Sequence, residues 1–301
     1  MSAGSILRWS VIGVGVAGRA RARAIAADPR AELTCVWRGK HASEAGVRRA
    51  DDLADAIASS DVVAICSPSG VHADQARQVL HGGRHCLVEF PLASTAAEAA
   101  SLFALAREKG LVLHVEHIEL LESAGRTLGS HVRPEIVESA SISFRGVGPE
   151  GASAPELALA NVARLHRLCA VAGPIASVVG VDHEPGRLTA DLRTAHGARA
   201  SCVFEQAPYF QRRTLLEVRT AAGAAWKQSN DLLTRDGVPQ TLLGYGELFP
   251  KDQRRASARI LDGTAPYVTE ERVLHVLDLV ELLGARSTGS LPHRSDAGRT
   301  D

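Results

Sequence analysis

The sequence predicts an α/β chain: first a doubly wound parallel sheet, then an α+β part with a mainly antiparallel sheet. Three observations carry this. Strand-like and helix-like segments alternate regularly from residue 8 to about 122. The strand segments are short and nearly all apolar, as expected of strands covered on both faces. From about 123 to 250, strand-like stretches follow one another with fewer helices between them, as in a sheet that packs helices on one face.

In the first part, Trp9–Val14 reads as a strand and Arg19–Ala27 as a helix. That helix stops at Asp28-Pro29, because a residue before proline leaves the helical region. Glu32–Trp37 is a second strand and Asp51–Ala58 a short helix. Asp61–Cys66 is a third strand, closed by Ser67-Pro68-Ser69-Gly70. His72–His81 is a helix with Gly82-Gly83 as its C-terminal signal. His85–Glu89 is a fourth strand, Thr95–Lys109 an Ala-rich helix ended by Gly110, and Leu111–Val115 a fifth strand. In the second part the strands are Val137–Phe144, Ile175–Val181, Ala198–Phe204 and Thr214–Arg219, with a helix over Val162–Val171. A last helix, Glu270–Leu283, places Val273, Leu274, Leu277, Val280 and Leu283 on one face. The expected division is 1–122 for a dinucleotide-binding domain, 123–286 for a substrate domain, and 287–301 for a disordered tail poor in apolar residues.

Lys+Arg and Asp+Glu both number 34 in 301 residues, so no global field draws the chain to nucleic acid or membrane. The five cysteines (Cys35, Cys66, Cys86, Cys169, Cys202) show no CxxC pair or metal-type spacing, which fits a reduced cytoplasmic chain without a metal site. No run approaches the ~18 apolar residues of a membrane span. The apolar start Ile6–Ala17 has only Arg8 as a basic residue and is interrupted by glycines, so a strand and turn explain it better than a signal peptide.

Those glycines form the first functional motif. Gly13-Val14-Gly15-Val16-Ala17-Gly18 is GxGxxG, placed between a strand and a helix. The first glycine allows the turn, the second lets a pyrophosphate approach the backbone, and the third lets helix and strand pack closely. The helix N-terminus then offers free N–H groups to the phosphates. At the end of the second strand an NAD enzyme places an acid for the ribose 2′-hydroxyl. Here Trp37-Arg38-Gly39-Lys40 stands instead. Arg38, with Lys40 nearby, is suited to a 2′-phosphate, so NADPH is expected, with NADH weaker. Cys66, Ser67, Pro68 and His72 follow the third strand, along the crevice where a cofactor lies; His72 is equally readable as a packing residue at a helix start.

The turn after the third strand, followed by His85-Cys86-Leu87-Val88-Glu89-Phe90-Pro91, resembles the glucose–fructose oxidoreductase family of two-domain reductases. Sugar-oxidising members carry Glu-Lys-Pro here, the lysine relaying a proton. Biliverdin reductases of the mammalian type carry Glu-Tyr-Pro and continue with a segment very like His114-Val115-Glu116-His117-Ile118-Glu119-Leu120-Leu121. Further echoes are Arg164-Leu165, Leu248-Phe249-Pro250-Lys251-Asp252-Gln253, and the helix around Arg272-Val273-Leu274-His275. The likeness is clear over 8–122 and patchy from 160 to 283. Phe90 can neither relay a proton like lysine nor donate one like tyrosine. The sugar enzymes also place a catalytic histidine in the helix before the Gly-Pro turn, where this chain has Ala163-Arg164.

The resemblance implies hydride transfer from NADPH to the central methine bridge of a linear tetrapyrrole, with the protein a monomer or homodimer. Arg164 is then the leading catalytic residue, electrostatic in role because a guanidinium does not readily release its proton; Arg167 lies on the same helical side. Glu89 and Phe90 fall beside the expected nicotinamide. Glu116, His117 and Glu119 follow the fifth strand and could orient the pigment or a proton path. Arg212 and Arg213 could pair its propionates. Two rivals remain: a sugar or inositol dehydrogenase of the same fold, and an NADP-binding regulator without chemistry.

Overall fold

The computed structural model describes residues 5–39, 47–147, 157, 159–207, 212–244 and 246–285. The first sheet consists of β1 (Leu7–Ile12), β2 (Ala31–Trp37), β3 (Arg48–Arg49), β4 (Val62–Ile65), β5 (His85–Val88) and β6 (Leu113–Val115). Its spatial order is β3-β2-β1-β4-β5-β6, and every pair is parallel. Four crossover helices link these strands: α1 (Val16–Ala26), α2 (Leu53–Ala58), α3 (His72–His81) and α4 (Ala96–Glu108). β4 is buried at every residue, which is why its sequence shows no alternation. The strand order reverses beside β1, and a doubly wound sheet opens a crevice for ligands at that point.

After α5 (Ser123–His131) comes a second sheet. It contains β7 (Val137–Val147), β8 (Ile175–Glu184), β9 (Arg187–Thr194), β10 (Arg199–Ala207), β11 (Arg213–Thr220), β12 (Ala225–Ser229), β13 (Leu232–Arg235) and β14 (Val238–Pro239). Its order is β14-β13-β12-β11-β7-β10-β9-β8. The expectation of a mainly antiparallel sheet holds, with one parallel pair at its centre, β7 with β10. The helix expected over Val162–Val171 is two: α6 (Leu159–Val162) and α7 (Leu165–Ala172), with Arg164 at the N-cap of the second. Both lie on the sheet's apolar face, where Ile142, Phe144, Phe204 and Leu216 form a core with Leu165 and Leu168.

The last helices, α8 (Leu248–Asp262) and α9 (Glu270–Ala285), return to the first sheet. Ala256 of α8 enters the core shared by β1 and α1. α9 serves both layers: Val273 and Leu277 join the core with α3 and α4, while Val276, Leu279 and Leu283 join the core of the second sheet. These two helices lie within the stretch 123–286 that the sequence reading gives to a substrate domain. A helix shows only its apolar stripe in sequence, and the stripe does not say which core receives it. The 287–301 tail lies outside the described residues.

Candidate active site

The glycine turn follows β1. Gly13 has φ of 86°, and a Cβ there would stand 2.6 Å from Ser67 N. A Cβ on Gly18 would stand 2.0 Å from the Gly13 carbonyl oxygen. Gly15 differs: nothing lies within 4 Å of its would-be Cβ, so the backbone is open where a diphosphate must approach. α1 has no side-chain cap and no acid in its first turn, leaving its N–H groups and positive end toward that space. Gly13 N donates to Trp37 O and Val14 N to Arg38 O, both at 2.8 Å, so the end of β2 is tied to the loop. Arg38 is exposed, has φ of 60°, and lies with its guanidinium 5.1 Å from the Trp37 ring centroid. Lys40 lies outside the described residues. Val16 is exposed at the top of the loop, and Ala17 follows it into α1. These features fit a dinucleotide with its diphosphate over Gly15.

Other residues assigned to the crevice are engaged within the protein. Ser67 Oγ donates to Gln75 Oε1. His72 is buried and bridges Pro91 O and Ser67 O, each at 2.7 Å, so it fastens the Ser67-Pro68 turn to the turn after β5. The Cys66 thiol lies 3.7 Å from Glu89 Oε1, and burial pushes it up from the ordinary thiol range.

Beyond β5 and β6 a second group assembles between the two sheets. The Phe90 ring lies 4.6 Å from His117 and 5.1 Å from His166, and the two imidazoles are 5.1 Å apart. Nε2 of His117 is buried without a hydrogen-bond partner among the described residues, while His166 Nε2 stands 3.5 Å from Glu119 Oε2. Burial, reinforced by His166, pushes His117 down to about 3. Burial also lowers His166, against the pull of Glu119.

Arg164, at the N-cap of α7, and Arg167 within it meet Glu119 in the turn Ile118–Leu121 and Glu122 just after it. Arg164 Nε donates to Glu119 Oε1 at 3.0 Å, and Arg167 Nη2 donates to Glu122 Oε2 at 2.7 Å. The three-residue spacing of the arginines thus matches that of the acids. Arg164 also donates to Ala160 O and lies 4.0 Å from the Phe144 ring centroid. Burial lowers Arg164, while Glu119 raises it. Glu119 is pushed up by burial, but Arg164, His166 and Arg167 prevail and hold it well below the usual carboxylate range.

Beneath this group lies a buried network that ties α1 to α8. Arg21 Nη2 approaches Asp252 Oδ2 to 2.7 Å and Glu89 Oε1 to 3.1 Å. Asp252 Oδ1 accepts from Tyr267 Oη at 2.7 Å and stands 2.8 Å from His114 Nε2. Tyr267 in turn accepts from His117 N. Glu116 accepts from Ile118 N at 2.7 Å and, weakly, from Phe90 N at 3.4 Å. Burial, then the neighbouring Glu89 and Asp252, push Glu116 well above the carboxylate range despite Arg21.

The structure therefore gathers Glu89, Phe90, Glu116, His117, Glu119, Arg164 and Arg167. Arg212 acts electrostatically on Arg164, which places it on the same side. Arg213 does not join them. It is exposed and pairs with Arg145 across β11 and β7, while its neighbour Thr214 is the buried one, so alternation turns Arg213 to the sheet's outer face. His166 is the main residue the sequence reading missed. The expected helix does hold a histidine, one turn after Ala163, and the i, i+3 spacing could have found it.

Residues 7–117 match the model of an oxidoreductase family with an NAD-binding Rossmann fold. Over that stretch the chain is similar to that family. Biliverdin reductase A of Mus musculus is 28% identical over 284 residues, spanning 89% of this chain and 92% of its own length. The UDP-N-acetylglucosamine 3-dehydrogenase of Acidithiobacillus ferrooxidans is 34% identical over 122 residues, covering 39% of either chain. A crystal structure of biliverdin reductase from Synechocystis, in complex with biliverdin and NADP+, shares the fold with a TM-score of 0.79 at 23% identity, covering 92% of this chain and 98% of that one. The family resemblance read from the Glu-Phe-Pro and His-Val-Glu-His segments thus extends over both layers of the molecule. Among the described residues, no helix is long and apolar enough to cross a membrane.

Proposed function

We propose that this oxidoreductase reduces a linear tetrapyrrole of the biliverdin class with NADPH. The observation that carries this reading is the Phe90 floor: at the position where sugar-oxidising relatives hold lysine, an apolar ring packs against two imidazoles and offers no amine to accept a hydroxyl proton. A flat, conjugated pigment suits such a floor. The two-layer likeness to a mammalian biliverdin reductase supports the same substrate class.

Gly13, Gly15 and Gly18 with the α1 N-terminus would hold the diphosphate, and Arg38, stacked on Trp37, the 2′-phosphate. Cys66, Ser67, Pro68, Glu89 and Phe90 would line the rest of the cofactor site. The bound nicotinamide supplies the hydride. Arg164, fixed by Glu119 against Phe144, stabilises negative charge that develops on the pigment. Arg212 pairs a propionate. The Nε2 atom of His117, beside His166, holds the water that delivers the proton, and Arg167 with Glu122 keeps α7 in place. Five free cysteines fit a reducing cytoplasm. Mixing protein, NADPH and biliverdin should turn the green pigment yellow as NADPH is consumed. No pigment loss, with oxidation of a sugar or polyol by NADP+, would assign the site to the family's sugar chemistry instead.

A further inference from the structure

α8 faces α5 across a cavity of about 440 Å³. Lys251, Arg254 and Arg255 line it from one face of α8, at the i, i+3, i+4 spacing that makes helical neighbours. Arg126 of α5 supplies the opposite wall, Leu121 is also part of the lining, and Ala258 extends the α8 face with a side chain small enough to leave room. No acid is among its described lining residues, and none of the four cations joins an ion pair with another described residue. The Lys251 ammonium is buried and lacks a hydrogen-bond partner among the described residues. A buried, unpaired cation is costly, so the site favours an anion. The chain's net charge is zero, so this concentration of positive charge is local.

We propose that this groove is a binding site for a small, multiply charged phosphate compound, a phosphate monoester or a pyrophosphate. Guanidinium forks on two walls match the bidentate geometry of phosphate oxygens, and the ammonium adds a point charge between them. The space exceeds that of several waters, each of which takes ~30 Å³ in the liquid, so it admits more than one ion. The site does not depend on the reduced substrate.

The test is calorimetric titration of the full chain with sodium pyrophosphate, against sodium chloride at equal ionic strength and against glutarate. Saturable binding of pyrophosphate, weakened roughly tenfold or more by Lys251→Met or Arg254→Ala, is expected. Both substitutions lie at the groove wall, and a thermal melt confirms that each variant folds. Binding no stronger than that of chloride would overturn the proposal. So would equally tight binding to both variants, which would place the ion on the glycine turn. Glutarate binding as tightly as pyrophosphate would overturn the assignment to phosphate.

Discussion

At the scale of single residues, charge placement decides the chemistry. Arg38 stands where an acid would select NADH, and its loss removes one charge-assisted contact worth roughly 1.5–3 kcal/mol. Arg38→Ala should therefore raise KM for NADPH at least tenfold and leave KM for NADH nearly unchanged, as steady-state kinetics with each cofactor would show. Arg164 presents a harder case, because it both faces the proposed substrate and neutralises Glu119. Removing one preorganised donor of this kind typically costs ~2.7–4 kcal/mol in the barrier. Breaking a buried pair also destabilises the fold, by about 3–5 kcal/mol, through the charge left behind. The double variant Arg164→Ala/Glu119→Ala separates the two effects. Its melting temperature should recover relative to Arg164→Ala alone, while kcat stays low. Recovery of kcat as well would reduce Arg164 to a structural ion pair.

At the scale of elements, legibility follows periodicity and neighbourhood. The parallel strands and their helices were readable because buried strands are continuous apolar runs bounded by Gly and Pro, as β4 and the Ser67–Gly70 turn show. The glycine turn was readable because its backbone needs, at Gly13 and Gly18, exclude a side chain. α8 was not read as a helix. Its buried face consists of Asp252, Gln253, Ala256 and Ser257, so no apolar stripe marks it. What holds α8 is the charge network to Arg21 and a hydrogen bond from Ser257 Oγ to Asp28 Oδ2 at 2.7 Å. Those partners are more than two hundred residues apart in sequence, and only the fold joins them. The His166 site was hidden in the same way, since its partners come from the segments after β5 and after β6. Because Arg21 has no exposure, Asp252→Asn should destabilise the protein by about 3–5 kcal/mol, leaving a buried guanidinium short of a counter-charge. Denaturant melts would register this as a lower midpoint with little change in slope, and replacing Arg21 with Met in the same chain should restore part of it.

For the molecule as a whole, buried titratable groups make stability depend on pH in opposing directions. His117 is held down to about 3 by burial and by His166, and His166, His85 and His275 are lowered chiefly by burial. The unfolded chain binds protons at these sites near pH 6.5 and the folded chain does not. Their contribution is therefore fully present above pH 6.5 and is lost as pH falls, down to about 3 for His117. A fully displaced histidine contributes a slope of ~1.4 kcal/mol per pH unit. Glu116 runs the other way. Its raised folded value means that it contributes stability below about pH 4.5, the usual carboxylate range, and loses it as pH rises through the folded value. Between pH 7 and 5 four histidines stand against two carboxyl groups, Glu116 and Glu122, so acid should weaken the fold well before ordinary surface carboxylates titrate. Urea melts across that interval should show a midpoint that drops steadily toward pH 5, and His117→Gln should flatten the trend. Glu116→Gln should gain on the parent as pH rises from 5 to 8, because the amide never has to ionise among Glu89 and Asp252. A midpoint independent of pH from 7 to 5 in the parent protein would mean that His117 and His166 lie open to bulk solvent, and with it that the Phe90 floor is not the enclosed surface a flat pigment needs.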